Sequence, residues 1–462
     1  MSGSGFSHTP IEVKKVNTPY RVISTKIPVP ESIPILEEIY QIESHSMHGQ
    51  LPIIWDRAED FSVYDNWGNK WLDFSSTIFV SNAGHSNKRI LKALEDLIKK
   101  PLLHTYTFTS PERYEYIKYL ISNTPKNFEK AFLLSAGTEA TECILKLMRL
   151  NGIKQNKRKG GIICFEGNWH GRTLGAQMMG WNPNQKSWIG YTDPNIYHIP
   201  FPYPWNEEAM KDPRKFFRDG IQKLKEENKI DIEKDICGIM METFQGWGAV
   251  FYPKEFVQEI ESFAKENNIL LAFDEMQAGF GRTGELFGYM NYDVTPDLIA
   301  CGKGASSSLP LSIVLGSKEI MDLPEVGSMS STHSANPMVC AAGLANMKAI
   351  LEDGILENSK NLGEFFQIKL EKLKNTYKDY IFHVNGKGLL AAVIFKQNNT
   401  PLSSLCDLIS EKCMQKGLLV VHTGRESIKL APPLTITKEA LIEGLMVFEE
   451  AIEESVIEIN GN

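Results

Sequence analysis

Several absences narrow what this 462-residue chain can be. Its seven cysteines (143, 164, 237, 301, 340, 406 and 413) are odd in number, widely spaced and form no C-x-x-C pair. That pattern argues against a disulfide framework or a zinc knuckle and suits reduced thiols in a cytoplasmic protein. No run approaches the roughly 18 apolar residues that a membrane span requires, and no basic segment leads into an apolar one near the N-terminus. We therefore expect neither a membrane partner nor an export signal. Positive charge is in deficit, with Lys+Arg 49 against Asp+Glu 57 and a formal net charge of -8, which argues against a nucleic-acid partner. The ten histidines are dispersed and none forms H-E-x-x-H, so no metal site is expected. His85 and His170 read as structural. There is no internal repeat, low-complexity tract or heptad run.

What is present is an alternation of short apolar runs with helical stretches. The runs are Ala131–Ser135, Gly161–Glu166, Ile196–Pro200, Gly238–Phe244, Ile269–Asp274, Asp297–Gly302 and Ser312–Ser317. Apolar on both faces and separated by helical patterns, they predict an α/β fold: a mainly parallel seven-stranded sheet flanked by helices. The chain is longer than one core usually serves, so a second, smaller α+β domain built from N- and C-terminal segments is expected. The resulting division is 1–88 for an N-terminal segment joining the small domain or a dimer interface, 89–335 for the large domain, and 336–462 for the C-terminal part of the small domain. Asp65–Asn69 reads as a turn between two half-buried strands.

Three segments carry chemistry. Leu271–Gln277 is an apolar run ending in two carboxylates, and catalytic groups of open α/β sheets gather at such carboxyl ends. On its own, Asp274 reads equally well as a helix or turn cap. The letters Gly279–Gly284 match G-x-G-x-x-G, but the preceding Asp274 and Glu275 would repel a pyrophosphate and no amphipathic helix follows, so the match reads as a decoy. Leu298–Gly304 is a strand delivering Lys303 between two glycines. Most lysines are solvated surface charges, whereas a partly desolvated one can form a Schiff base. Phe132–Ala140 is a strand, a small-residue turn and a helix start, which suits phosphate, although the same letters form a plain capping box.

A phosphate cradle, a carboxylate and a lysine are what pyridoxal phosphate needs. The ordered motifs SAGTEATE, NWHGRT, ETFQGWGA, FDEMQAGFGRTG, ACGKG and THSANP resemble those of the class III (subgroup II) pyridoxal-phosphate aminotransferases of fold type I, over roughly Pro52 to Pro433. The resemblance implies that Lys303 is the Schiff-base lysine and proton shuttle and that Asp274 holds the pyridine nitrogen protonated. It places Gln277 near the phenolic oxygen and Trp169 on the ring face, where the family more often has Tyr or Phe. It makes Ala136, Gly137 and Thr138 the phosphate cradle and puts Glu242 near the cofactor or its supports. A glutamate there is also an ordinary strand-end charge. Thr332 matches a threonine that reaches the phosphate of the neighbouring subunit, which implies a homodimer.

The family pattern breaks at the substrate end. Where many members pair a glutamate with an arginine, this chain has Trp247 and Lys429, and lysine cannot offer the bidentate fork that grips a carboxylate. Arg425 is close in sequence and could substitute. The expectation is a ping-pong aminotransferase acting on an amine, an amino sugar or a bulkier amino acid, with a keto or aldehyde acceptor. A glutamate-1-semialdehyde-type aminomutase or a decarboxylating transaminase is the alternative within the fold. A non-catalytic regulator is the alternative outside catalysis, and retention of Lys303, Asp274 and Gln277 argues against it.

Overall fold

A computed structural model describes residues 5–461. It divides into two compact units, the larger comprising Lys88–Gly246 and Val250–Leu356. The larger unit is built on β1 (Lys130–Leu134), β2 (Gly161–Phe165), β3 (Ile196–Ile199), β4 (Ile236–Glu242), β5 (Leu270–Asp274), β6 (Leu298–Cys301) and β7 (Ser312–Gly316). These form one seven-stranded sheet in the order β1-β7-β6-β5-β4-β2-β3. Neighbours from β6 through β3 run parallel, while β7 is antiparallel to both β6 and β1. Each expected apolar run is one of these strands, with ends shifted by at most two residues.

Every residue of β2, β4, β5, β6 and β7 is buried, so these strands show no polar-apolar alternation. That is the mark of a sheet covered on both faces. The helices of this unit include α1 (Lys88–Ile98), α2 (Pro111–Ser122), α3 (Gly137–Lys154), α4 (Pro213–Asn228), α5 (Lys254–Glu266) and α6 (Pro337–Glu352). Their starts follow local chemistry: proline opens α2, α4 and α6, and Ser110, Asp212 and Asn336 accept from backbone N–H groups in the first turn. The expected change of domain near Ser334 coincides with α6, which packs against α1 and α2 inside the larger unit. Gly279–Gly284 forms successive turns without a helix.

The smaller unit holds the chain up to Asn87, Trp247–Ala249, and the chain from Glu357 onward. It contains a sheet with Ser62–Tyr64 and Lys70–Asp73 antiparallel, joined at Asp65–Asn69. There the Asp65 carboxylate accepts from the backbone N–H of Trp67 at 2.9 Å and of Asn69 at 2.8 Å. A second sheet of this unit pairs Ile381–Lys387, Leu390–Gln397, Ser427–Leu430 and Val421–His422. Among the described residues, no helix is long and apolar enough to cross a membrane.

Candidate active site

The carboxyl ends of β4, β5 and β6 lie side by side, with Asp274 in register with Glu242 on one flank and Ala300 on the other. A cavity opens there, lined by Gly137, Thr138, Trp169, His170, Glu242, Asp274, Met276, Gln277 and Lys303 among others. This is where a sheet of this topology places ligands, since the strands end there and the following loops splay apart.

Lys303 leaves β6 in the left-handed region, at φ 45°, between Gly302 and Gly304. Desolvation pulls its ammonium pKa below the ordinary lysine value, opposed by the charges of Asp274 and Glu242. A Cβ on Gly302 would fall 2.5 Å from the Sδ of Met276, so a larger residue there would have to displace the methionine side chain.

Asp274 is buried, and both its oxygens are engaged. Oδ1 accepts from the backbone N–H of Met276 at 3.0 Å, and Oδ2 lies 2.9 Å from Nδ1 of His170. The His170 side chain is fully buried and, among the described residues, its Nε2 has no hydrogen-bond partner. His170, expected to be structural, faces the carboxylate of the site. The sequence signal was an imidazole directly after the aromatic Trp169. Behind Asp274, the buried carboxylate of Glu275 accepts from the backbone N–H groups of Gly288 and Tyr289, both at 2.7 Å, and from the hydroxyl of Thr243. Desolvation pushes its pKa up to about 7.

The N-cap of α3 is Ala136, which has no side-chain acceptor. Only the glutamate half of the capping box exists, Glu139 accepting from the N–H groups of Ser135 and Ala136 at 2.9 Å. The helix start is thus left without a side-chain cap and can receive an anion. A Cβ on Gly137 would fall 2.9 Å from the Sδ of Met276. Thr138 Oγ1 lies 2.5 Å from Thr173 Oγ1, which joins the cradle to the Trp169 segment.

Trp169 donates its backbone N–H to Glu242 Oε2 at 3.0 Å, and the guanidinium of Arg172 lies 4.7 Å from its ring centroid. Glu242 Oε1 accepts from Gly246 N at 3.3 Å, so this carboxylate supports the site through backbone on both sides. Gln277 lies against Gly246, where a Cβ would come within 2.5 Å of its Nε2. Met276 and Arg172 were not anticipated.

Thr332 lies outside the cavity, on the exposed surface, with its carbonyl 2.9 Å from Nε2 of His104. The smaller unit brings Trp247 and Arg425 together. The guanidinium sits 4.1 Å from the Trp247 ring centroid and pairs with Glu426 at 3.2 Å, while Ser427 donates its hydroxyl to the Trp247 carbonyl at 2.8 Å. Lys429 is buried, with its Nζ 4.5 Å from the Phe79 ring centroid.

The cavity residues suit pyridoxal phosphate: an uncapped helix start for the phosphate, a buried carboxylate for the pyridine nitrogen, an indole for the ring face and a desolvated amine. Residues 44–452 match the family model described as Aminotransferase class-III. The chain belongs to this family. The aminotransferase is 30% identical over 430 residues to the mitochondrial acetylornithine aminotransferase of Candida glabrata, covering 91% of this chain and 95% of that one. It is 29% identical over 464 residues to the alanine/serine racemase of Pyrococcus horikoshii, covering 98% and 96%. The crystal structure of acetylornithine aminotransferase from Elizabethkingia anophelis matches with a TM-score of 0.75 at 29% identity, covering 92% of this chain and 99% of that one. The enzyme is thus a pyridoxal-phosphate-dependent transaminase, transferring an amino group from a donor to a keto or aldehyde acceptor.

Proposed function

We propose that Lys303 is the residue that carries the cofactor and moves the proton at the substrate carbon. The observation that carries this reading is that its desolvated amine and the Asp274 carboxylate share one cavity with the uncapped start of α3. When bound, the cofactor supplies an electron sink for the charge left on deprotonation. Asp274, fixed by Met276 N and His170, would hold a proton on the pyridine nitrogen. Trp169 covers the ring face, Gln277 stands near the phenolic oxygen, and Gly137 and Thr138 hold the phosphate. Glu242 acts indirectly, by fixing the backbone of Trp169 and Gly246.

The donor in this reading is an amine, an amino sugar or a bulkier amino acid. Trp247 and Lys429 stand where a glutamate and an arginine would pair, and Arg425 already rests on Trp247 and Glu426. The enzyme works as a homodimer in which Thr332 serves the neighbouring cofactor. In support, Thr332 is exposed away from its own cavity, and His104, which holds it, lies in a segment whose Leu103, Tyr106, Phe108 and Tyr114 are all exposed. All seven cysteines are unpaired, which fits a reducing, cytoplasmic setting.

The test is the visible absorption of the purified protein with pyridoxal phosphate, before and after candidate amines, for wild type and Lys303→Ala. Wild type should show the band of lysine-bound cofactor, lose it with the true donor and regain it with an acceptor. Lys303→Ala should lose about 10²- to 10⁴-fold or more in the half-reaction. Absence of the band in wild type would remove Lys303 from its role. Conversion of one amino acid without any acceptor would favour a racemase or aminomutase instead.

A further inference from the structure

The carboxylate of Glu139 is shared between two turns of the larger unit. Its Oε2 accepts from the backbone N–H groups of Ser135 and Ala136, both at 2.9 Å, and so shapes the turn that opens α3. The same carboxylate receives the hydroxyl of Ser331, at 3.3 Å to Oε1 and 3.5 Å to Oε2. Ser331 begins a tight turn, its carbonyl accepting from Ser334 N at 3.1 Å and from Ser334 Oγ at 2.8 Å. Thr332 is the exposed corner of that turn, and the Nε2 of His104 holds its carbonyl. Glu139 and His104 therefore contact adjacent residues of this turn, one through the Ser331 hydroxyl and the other through the Thr332 carbonyl.

A carboxylate cannot itself attract a phosphate, so Glu139 acts on one only through backbone. Its charge orders Ser135 and Ala136, and that ordering directs Gly137 and Thr138 into the cavity. Through Ser331 it also orders the residue that precedes Thr332.

We propose that Glu139 is a positioning residue for two cofactor phosphates: the one in its own chain, through the Ser135–Thr138 turn, and the one in a second copy of the chain, through Ser331 and Thr332. The proposal rests on the homodimer reading given above and deepens it. It predicts that one carboxylate sets cofactor retention in both halves of the dimer, whereas the Thr332 hydroxyl serves only the other half. A simple helix cap would act on its own chain alone.

Heterodimers separate these cases. One chain carries Lys303→Ala, so that the visible band reports only the cofactor in the other, otherwise unaltered chain. Release of pyridoxal phosphate from that unaltered chain is followed after transfer into buffer with excess inorganic phosphate. Adding Thr332→Ala, Ser331→Ala or Glu139→Ala to the Lys303→Ala chain should each speed release from the unaltered chain by roughly two- to tenfold. Combining Glu139→Ala with Ser331→Ala should add little, because both act through one contact. Ser331→Ala leaves the α3 turn intact and keeps the test open should Glu139→Ala fail to fold. If Thr332→Ala speeds release while Ser331→Ala and Glu139→Ala do not, Glu139 is a cap of its own chain and the proposal falls. If Thr332→Ala itself has no effect, the dimer reading beneath it falls as well.

Discussion

Nδ1 of His170 lies 2.9 Å from Oδ2 of Asp274, with the imidazole fully buried and its far nitrogen without a hydrogen-bond partner among the described residues. In the tautomer that carries its proton on Nδ1, the imidazole donates to this carboxylate. Replacing His170 with Ala strips Asp274 of its side-chain donor. A hydrogen bond to a charged group is worth about 1.5–3 kcal/mol. If that is expressed in the transition state, kcat falls roughly ten- to a hundredfold. Single-turnover kinetics of the donor half-reaction would show it, together with an altered pH dependence of the cofactor band. An unchanged profile would reduce His170 to packing.

The sulfur of Met276 lies against two glycines of the site. A Cβ would approach it to 2.9 Å from Gly137 and 2.5 Å from Gly302. Gly302→Ala should displace Met276 and loosen both the lysine and the phosphate turn, lowering cofactor affinity by about an order of magnitude, in line with overpacking costs of about 1–3 kcal/mol. Met276→Ala should partly suppress that defect. Cofactor titration of the single and double variants checks this, and additive losses would contradict it.

Glu275 adds a pH dependence to stability. Burial raises its folded pKa from the ordinary 4.5 to about 7, so between those values the folded chain holds a proton that the unfolded chain has released. Stability from this group is complete below pH 4.5 and is lost as pH rises towards 7, by roughly 3 kcal/mol at most. Glu275→Gln cannot ionise. It should be less stable overall, having one acceptor oxygen for three donors, but its denaturation midpoint should lack this downward slope between pH 5 and pH 7. Parallel slopes for the two proteins would rule the effect out.

The proposed substrate preference rests on Trp247 and Lys429, which stand where many family members pair a glutamate with an arginine. Restoring a glutamate and an arginine as Trp247→Glu with Lys429→Arg should raise kcat/KM for 4-aminobutyrate or ornithine by about tenfold or more, the worth of a bidentate charged contact. A donor panel on both proteins tests this. Strong wild-type preference for 4-aminobutyrate with 2-oxoglutarate would sink the substrate proposal.

Local patterns in the sequence determined the seven strands, the turn at Asp65–Asn69 and the delivery of Asp274 and Lys303 to strand ends. These depend on short periods, on glycine and on abrupt changes from apolar to charged residues, all readable within about ten neighbours. The ordered motifs then pointed to the cofactor. Tertiary structure alone decided which distant residues meet: His170 with Asp274 across 104 positions, and Ser331 with Glu139 across 192. It also decided that Ala136, lacking a hydroxyl, leaves the start of α3 uncapped, and that Arg425 rests on Trp247. The strand order β1-β7-β6-β5-β4-β2-β3 is set by how the whole chain packs, and no local period encodes which strand ends become neighbours.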